Sequence, residues 1–153
     1  MPMHLEIQKT ADAIALISLV RAYQGDLKKL SAVLFDVAAN DFKQRFDSSP
    51  RVRSSAEVYG GVTWSRLSER YLKSNPRRLS GVQLVDTGLL RRSFTRLGQG
   101  NITTESATEV RFGSTLERAM LQHRRRQIVV DHPELGTKTA EAIAEVIEKS
   151  HAE

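Results

Sequence analysis

A chain of 153 residues, 40% hydrophobic and 27% charged, is long enough for one domain with a buried core and too ordinary in composition for wholesale disorder. It contains no cysteine, which excludes a disulfide framework, a thiolate metal site and a cysteine nucleophile, and which suits a reducing cytoplasm. The net charge of +5 is unevenly spread: residues 51–96 carry ten Lys/Arg against three acids, 111–126 carry five against one, and 127–153 carry two against six. Such asymmetry points to a polyanion partner or to contact between unlike faces of two copies of the chain.

The opening Met-Pro-Met-His-Leu-Glu has no basic region leading into an apolar run and a small-residue cleavage site, so no signal peptide is expected. The apolar stretch Ala13–Val20 falls far short of the roughly 20 residues that span a bilayer. A short strand is predicted at His4–Gln8. Asp12 is placed to cap a helix carrying Ile14, Leu16, Ile17 and Val20, and Gly25-Asp26 interrupts it. Over 26–46, Leu27, Leu30, Leu34, Ala38, Phe42 and Phe46 recur at spacings of three and four, an amphipathic helix with Asp36, Asn40, Lys43 and Asp47 largely on its other side. Residues 47–63, rich in Ser, Gly and Arg, are expected to form a long flexible surface loop.

Order resumes at Trp64, where Ser65 or Ser68 can cap a short helix reaching Lys73, and Asn75-Pro76 ends it. Trp64, Leu67 and Tyr71 have the spacing of one helical face, and Trp64 and Tyr71 are expected to seal the core against the 26–46 helix. Gln83-Leu84-Val85 is predicted as a short strand, with Asp86-Thr87-Gly88 a turn into Leu89–Phe94. Alternation around Ile102, Thr104, Val110 and Phe112 predicts a β-hairpin over 101–113. After a short apolar run at Ile128–Val130, Asp131, Pro133 and Glu134 mark the start of a terminal helix with Leu135, Ala140, Ile143, Val146 and Ile147. The expected fold class is α+β: N-terminal helices and a C-terminal helix packed on a small, mainly antiparallel sheet, in a single domain over 1–153.

Patterns that carry chemistry are sparse. Leu84-Val85-Asp86-Thr87-Gly88 matches the local pattern of aspartic proteases, whose mechanism needs two carboxylates sharing a proton. Leu89-Leu90-Arg91-Arg92 follows instead of a small residue, and such proteases are almost wholly β, so a turn is the better reading. The histidines His4, His123, His132 and His151 are scattered without a metal-site spacing; His123 with His132 is the one imaginable pair. No phosphate-cradling glycine loop and no Gly-x-Ser-x-Gly element is present, and nothing nominates a serine nucleophile. Arg51, Arg53, Arg77, Arg78, Arg91, Arg92, Arg118, Arg124, Arg125 and Arg126 are candidates for contact with DNA or with a neighbouring subunit. Aromatics at 6% are too few for a platform that stacks single-stranded bases.

In order along the chain stand Arg45-Phe46 closing a long helix, Trp64-x-x-Leu67-Ser68-x-x-Tyr71, Leu84-x-Asp86-Thr87-Gly88-x-Leu90-Arg91-x-Ser93, Val110-x-Phe112-Gly113-Ser114, Ala119, Gln122-His123 and Arg126-x-Ile128-Val129. This succession, over roughly residues 26–150, resembles the virion-morphogenesis or tail-completion family of Mu-type tailed phages. One departure is that Gln122-His123 runs directly into Arg124-Arg125-Arg126, where the family has a longer segment. The resemblance implies a small α+β structural protein without enzyme activity or cofactor. It would form a homo-oligomeric ring, hexameric or dodecameric, in the neck or at the tail end of the virion, and help join tail to head after assembly in the host cytoplasm. Its implied partners are further copies of itself, neighbouring neck and tail proteins, and DNA in the channel, with no membrane and no small-molecule substrate. The alternative is a basic nucleic-acid-binding accessory protein. Residues 47–63 and Arg118–Arg126 are the expected contact segments.

Overall fold

In the computed structural model, which describes residues 30–85, 87–105 and 110–151, the long amphipathic helix spans Ser31–Asp47 (α1). The strand expected at 4–8, the helix expected from Asp12, the start of the 26–46 helix and Asp86 lie outside the described residues. Its apolar stripe is buried as its period dictates: Phe35, Ala38, Phe42 and Phe46 are inaccessible, and Asp36, Asn40, Lys43 and Asp47 face solvent. Leu30, just ahead of the helix, is wholly buried.

Two antiparallel hairpins follow in the chain. Strands β1 (Ala56–Val58) and β2 (Val62–Trp64) pair through Glu57 and Thr63, and β3 (Asn101–Glu105) and β4 (Val110–Ser114) pair through Thr103 and Phe112. The short helices are α2 (Glu69–Ser74), α3 (Leu89–Thr95) and α4 (Glu117–Arg125), and the terminal helix is α5 (Pro133–His151). The class is α+β, as expected, although the strands form two separate two-stranded sheets.

α1 is the spine of the packing, lying against α5, α3 and β4. All five phenylalanines of the chain meet in one cluster with Leu90, Ala119 and Ile128. Phe42 stands 4.8 Å from Phe94 between ring centroids, and Phe35 stands 5.5 Å from Phe112. Each such burial contributes roughly 1.5–3 kcal/mol. A second cluster joins Leu30 to Ile143 and Ile147 of α5, anchoring the terminal helix.

Four expectations are corrected. The stretch 47–63 is not simply a loop: it contains β1 and the turn into β2, and it buries Val52 and Val58. Gln83-Leu84-Val85 is not a strand. A single bridge joins Val82 to Arg51, and the chain then turns through Leu84 at φ 58°, a left-handed conformation that a branched side chain adopts only under strain. Trp64 does seal the core, edge-on to Phe46, but from β2, whereas Tyr71 on α2 is 45% exposed. Finally, α5 opens at Pro133, and the carbonyl of His132, not of Asp131, accepts its first bonds, from Leu135 and Gly136.

Several sequence signals hold in detail. The Ser68 hydroxyl accepts from the Tyr71 N–H as the cap of α2, and Asn75 terminates that helix. Gly88 precedes α3 at φ 74°, so the Asp-Thr-Gly pattern ends in a left-handed turn that suits glycine.

A buried polar network crosses the core beneath the first hairpin. Arg45 is fully inaccessible; its Nη2 donates to Asp41 Oδ2 at 2.7 Å, its Nε to the Tyr59 carbonyl and its Nη1 to the Ile128 carbonyl. His132 Nε2 lies 2.6 Å from the other oxygen of Asp41, and the His132 ring meets Tyr59 edge-on. One guanidinium thus joins α1 to the hairpin turn and to the segment that leads into α5. Gly60 is what leaves room for it. A Cβ there would lie 2.9 Å from Arg45 Nη2, and the backbone already sits at φ +100°. Gly60→Ala is expected to lose about 1–3 kcal/mol in urea unfolding. Gly61→Ala, at φ +81° with nothing within 4 Å, carries only the backbone strain and should lose less.

Candidate functional site: an arginine-lined recess

Three segments distant in sequence meet around an open recess of about 300 Å³. The stretch ahead of α2 and the helix itself contribute Leu67, Ser68 and Tyr71. The strained turn into α3 contributes Leu84, Thr87, Gly88 and Leu90, and α4 with its C-cap contributes Arg118, Gln122, Arg125 and Arg126. Arg78 of the 3-10 turn Pro76–Arg78 completes the wall.

The arginines differ in what holds them. Arg126 is buried, its Nε donating to Gln83 Oε1 at 2.5 Å and its Nη2 to the Ser65 carbonyl. Burial first, and repulsion from Arg125 second, bring its guanidinium below the ordinary value, with Tyr71 acting in the opposite direction; an arginine stays charged nonetheless. Gln83 itself is inaccessible and bonded at every polar atom, its Nε2 donating to the carbonyls of Ser54 and Arg51. Arg78 donates to the carbonyls of Val82 and Val85 and so clamps the strained turn. Arg118 and Arg125 stand exposed at the rim.

α4 was not foreseen from sequence, because its apolar residues make no stripe: only Ala119 is buried, and Met120 and Leu121 are 53% and 50% exposed. Its helicity follows from strong helix formers, with Glu117 in the first turn and His123, Arg124 and Arg125 in the last, each favourable to the helix dipole. In the last turn of α4, the His123 Nδ1 accepts from the N–H groups of Ile128 and Val129 at 3.2 and 3.3 Å, which ties the helix end to the core.

That arrangement predicts a pH dependence. Burial holds the His123 imidazole below its ordinary 6.5, and a proton on Nδ1 would displace both backbone donors. Below 6.5 the unfolded chain takes up a proton that the folded chain resists. Stability present above that value is therefore lost as pH falls through the folded-state pKa. Melting curves from pH 7.5 to 5 are expected to show this loss, and His123→Asn, which keeps an acceptor near the same place, should flatten it.

The candidate contact residues do not form one surface. Arg78, Arg118, Arg125 and Arg126 converge on the recess. Arg91 pairs with Asp47 at 2.5 Å, and Arg92 donates to the Thr87 carbonyl. Arg51, Arg53 and Arg77 are exposed elsewhere, Arg53 loosely paired with Glu69 at 3.9 Å, and Arg124 is exposed on α4. Gly113 lies in β4, where its carbonyl accepts from Asn101 Nδ2. His123 and His132 are each occupied in separate hydrogen bonds, and among the described residues no group of three or more His, Cys, Asp or Glu could hold a metal ion. No helix among the described residues is long and apolar enough to cross a membrane.

Chemically, the recess offers forked guanidinium donors together with the hydroxyls of Ser68, Tyr71 and Thr87 and the amide of Gln122, above a floor that includes Leu84 and Leu90. This is a setting for carboxylate or another oxyanion. Comparison of the chain with protein-family models, curated proteins and solved structures gives no significant match.

Proposed function

We propose that this protein is a structural subunit of a tailed-phage neck or tail end, a tail-completion, terminator or connector protein that assembles as a ring and helps join tail to head without catalysing a reaction. The observation that carries this reading is the convergence of the landmark residues. Leu67, Ser68, Tyr71, Thr87, Gly88, Leu90 and Gln122 line a single recess, although they are spread over 56 positions. Two further landmarks touch directly, the Ser114 hydroxyl donating to Ser93 Oγ at 2.7 Å and tying α3 to the second hairpin. The remaining landmarks are divided between the hydrophobic core, where Phe46, Phe112, Ala119 and Ile128 pack, and the surface, where Arg91 pairs with Asp47.

The second reading, a nucleic-acid-binding accessory protein, is favoured by the four arginines of the recess. Mass measurement of the purified protein combined with particle imaging separates the two. Closed or stacked rings support the structural subunit. A monomer whose affinity for DNA falls steeply with salt supports the accessory protein.

A further inference from the structure

We infer that the arginine recess accepts a second copy of this chain, receiving the glutamate ridge of the neighbour's α5. The inference rests on the ring reading and adds which faces meet. The rim carries Arg118 and Arg125, both exposed on α4, and among the described residues neither side chain has a hydrogen bond or an ion pair. Beneath them Arg126 is held in place by Gln83 and the Ser65 carbonyl, so positive charge is fixed at the floor as well. Charges of one sign held this close favour an incoming carboxylate.

The chain supplies a matching surface. On α5, Glu141, Glu145 and Glu148 are exposed at spacings of four and three, one face of the helix. Glu145 is engaged by Lys149 at 2.6 Å, and among the described residues Glu141 and Glu148 have no ion pair. Glu141 and Glu148 are seven residues apart, and so are Arg118 and Arg125. Seven residues are two turns, about 10.5 Å along either helix. Laid side by side, the two helices can form both guanidinium–carboxylate pairs at once.

A protein partner is favoured over nucleic acid by what surrounds the rim. Leu121 is half exposed on the same side of α4 as the two arginines, and a phosphate backbone would leave it in water where a helix would cover it. The recess, at about 300 Å³, admits side chains and not a duplex. Because ridge and recess are different faces of one subunit, the contact is heterologous, so it propagates from copy to copy and closes where the rotation permits.

The test uses the full chain and two variants, Glu141→Arg with Glu148→Arg, and Arg118→Glu with Arg125→Glu, all at exposed positions. Assembly is followed by sedimentation and mass photometry. Each variant alone is expected to associate at least about tenfold more weakly than the unaltered chain. An equimolar mixture of the two should recover assembly, since each then offers what the other lacks. Melting curves verify folding, and the single changes Arg118→Glu and Glu141→Arg give the same comparison should a double variant unfold. Unaltered chain that stays monomeric at every concentration overturns the ring and this contact together. Unaltered chain that assembles while the variants assemble equally well, or fail to recover on mixing, overturns the contact alone. An Arg118→Glu, Arg125→Glu variant that keeps assembly but loses retention on DNA makes the recess a nucleic-acid site and overturns it too.

Discussion

Replacing Arg45 by alanine is expected to lower the unfolding free energy by about 3–5 kcal/mol, the range for removing one partner of a buried ion pair. Arg45 is fully inaccessible, and its loss strands Asp41, only 6% exposed, with a carboxylate that retains His132 alone as partner. The carbonyls of Tyr59 and Ile128 lose their donor in the same step. Thermal unfolding should fall by roughly 10 °C, taking 2–4 °C per kcal/mol for a domain of this size. Arg45→Lys tests geometry as against charge. An ammonium cannot present the fork that reaches Asp41, Tyr59 and Ile128 together, so lysine should recover only a minor part of the loss. If Arg45→Ala left the denaturation midpoint within experimental error, the network would not hold α1, the first hairpin and the approach to α5 together.

Trp64→Ala should remove a comparable amount, about 3–5 kcal/mol, for a different reason. The side chain is wholly buried, edge-on to Phe46 at 6.3 Å, and its Nε1 donates to the Gln127 carbonyl at 3.2 Å. Alanine would leave a cavity the size of an indole where the first hairpin meets α1. Trp64→Phe keeps most of the apolar contact but removes the hydrogen bond, worth about 0.5–1.5 kcal/mol, and leaves a smaller void than alanine, so it should cost less than Trp64→Ala. Trp64 is also the chain's single tryptophan. Its fluorescence should be blue-shifted in the folded protein and move to the red in one transition with denaturant, in step with circular dichroism. Separate transitions would mean that the first hairpin and the helical core unfold independently.

The two sites place different demands on the same short stretch of chain. Residues 126–132 carry the recess at one end, through Arg126, and the buried network at the other, through Ile128 and His132. Gln83 couples the recess floor to the 49–54 turn, because it accepts from Arg126 while the Ser49 hydroxyl donates to its backbone carbonyl. Arg126 is therefore positioned from both sides, so a ligand bound there would require little further ordering of it. Arg118 and Arg125, by contrast, keep the side-chain freedom of exposed residues.

Periodicity alone determined the parts of this protein that depend on neighbours three, four or two residues away. The stripe Leu34, Ala38, Phe42 and Phe46 located α1, alternation located the second hairpin, Ser68 and Asn75 bounded α2, and Pro133 opened α5. The α+β class followed from the same local signals. Only the tertiary structure decided that Asp41 and Arg45 are interior. An Asp and an Arg four apart look like a surface pair on a helix, and the carbonyls that justify burial belong to Tyr59 and Ile128, up to 83 positions away. It likewise placed Tyr71 at the rim of a recess instead of in the core, gave α4 its outward-facing Met120 and Leu121, and brought Arg78, Arg118, Arg125 and Arg126 together while sending Arg91 to Asp47. Local spacing records which face of an element is apolar. Which charged residues share a cavity depends on how those faces stack, and that is decided by packing across the whole chain.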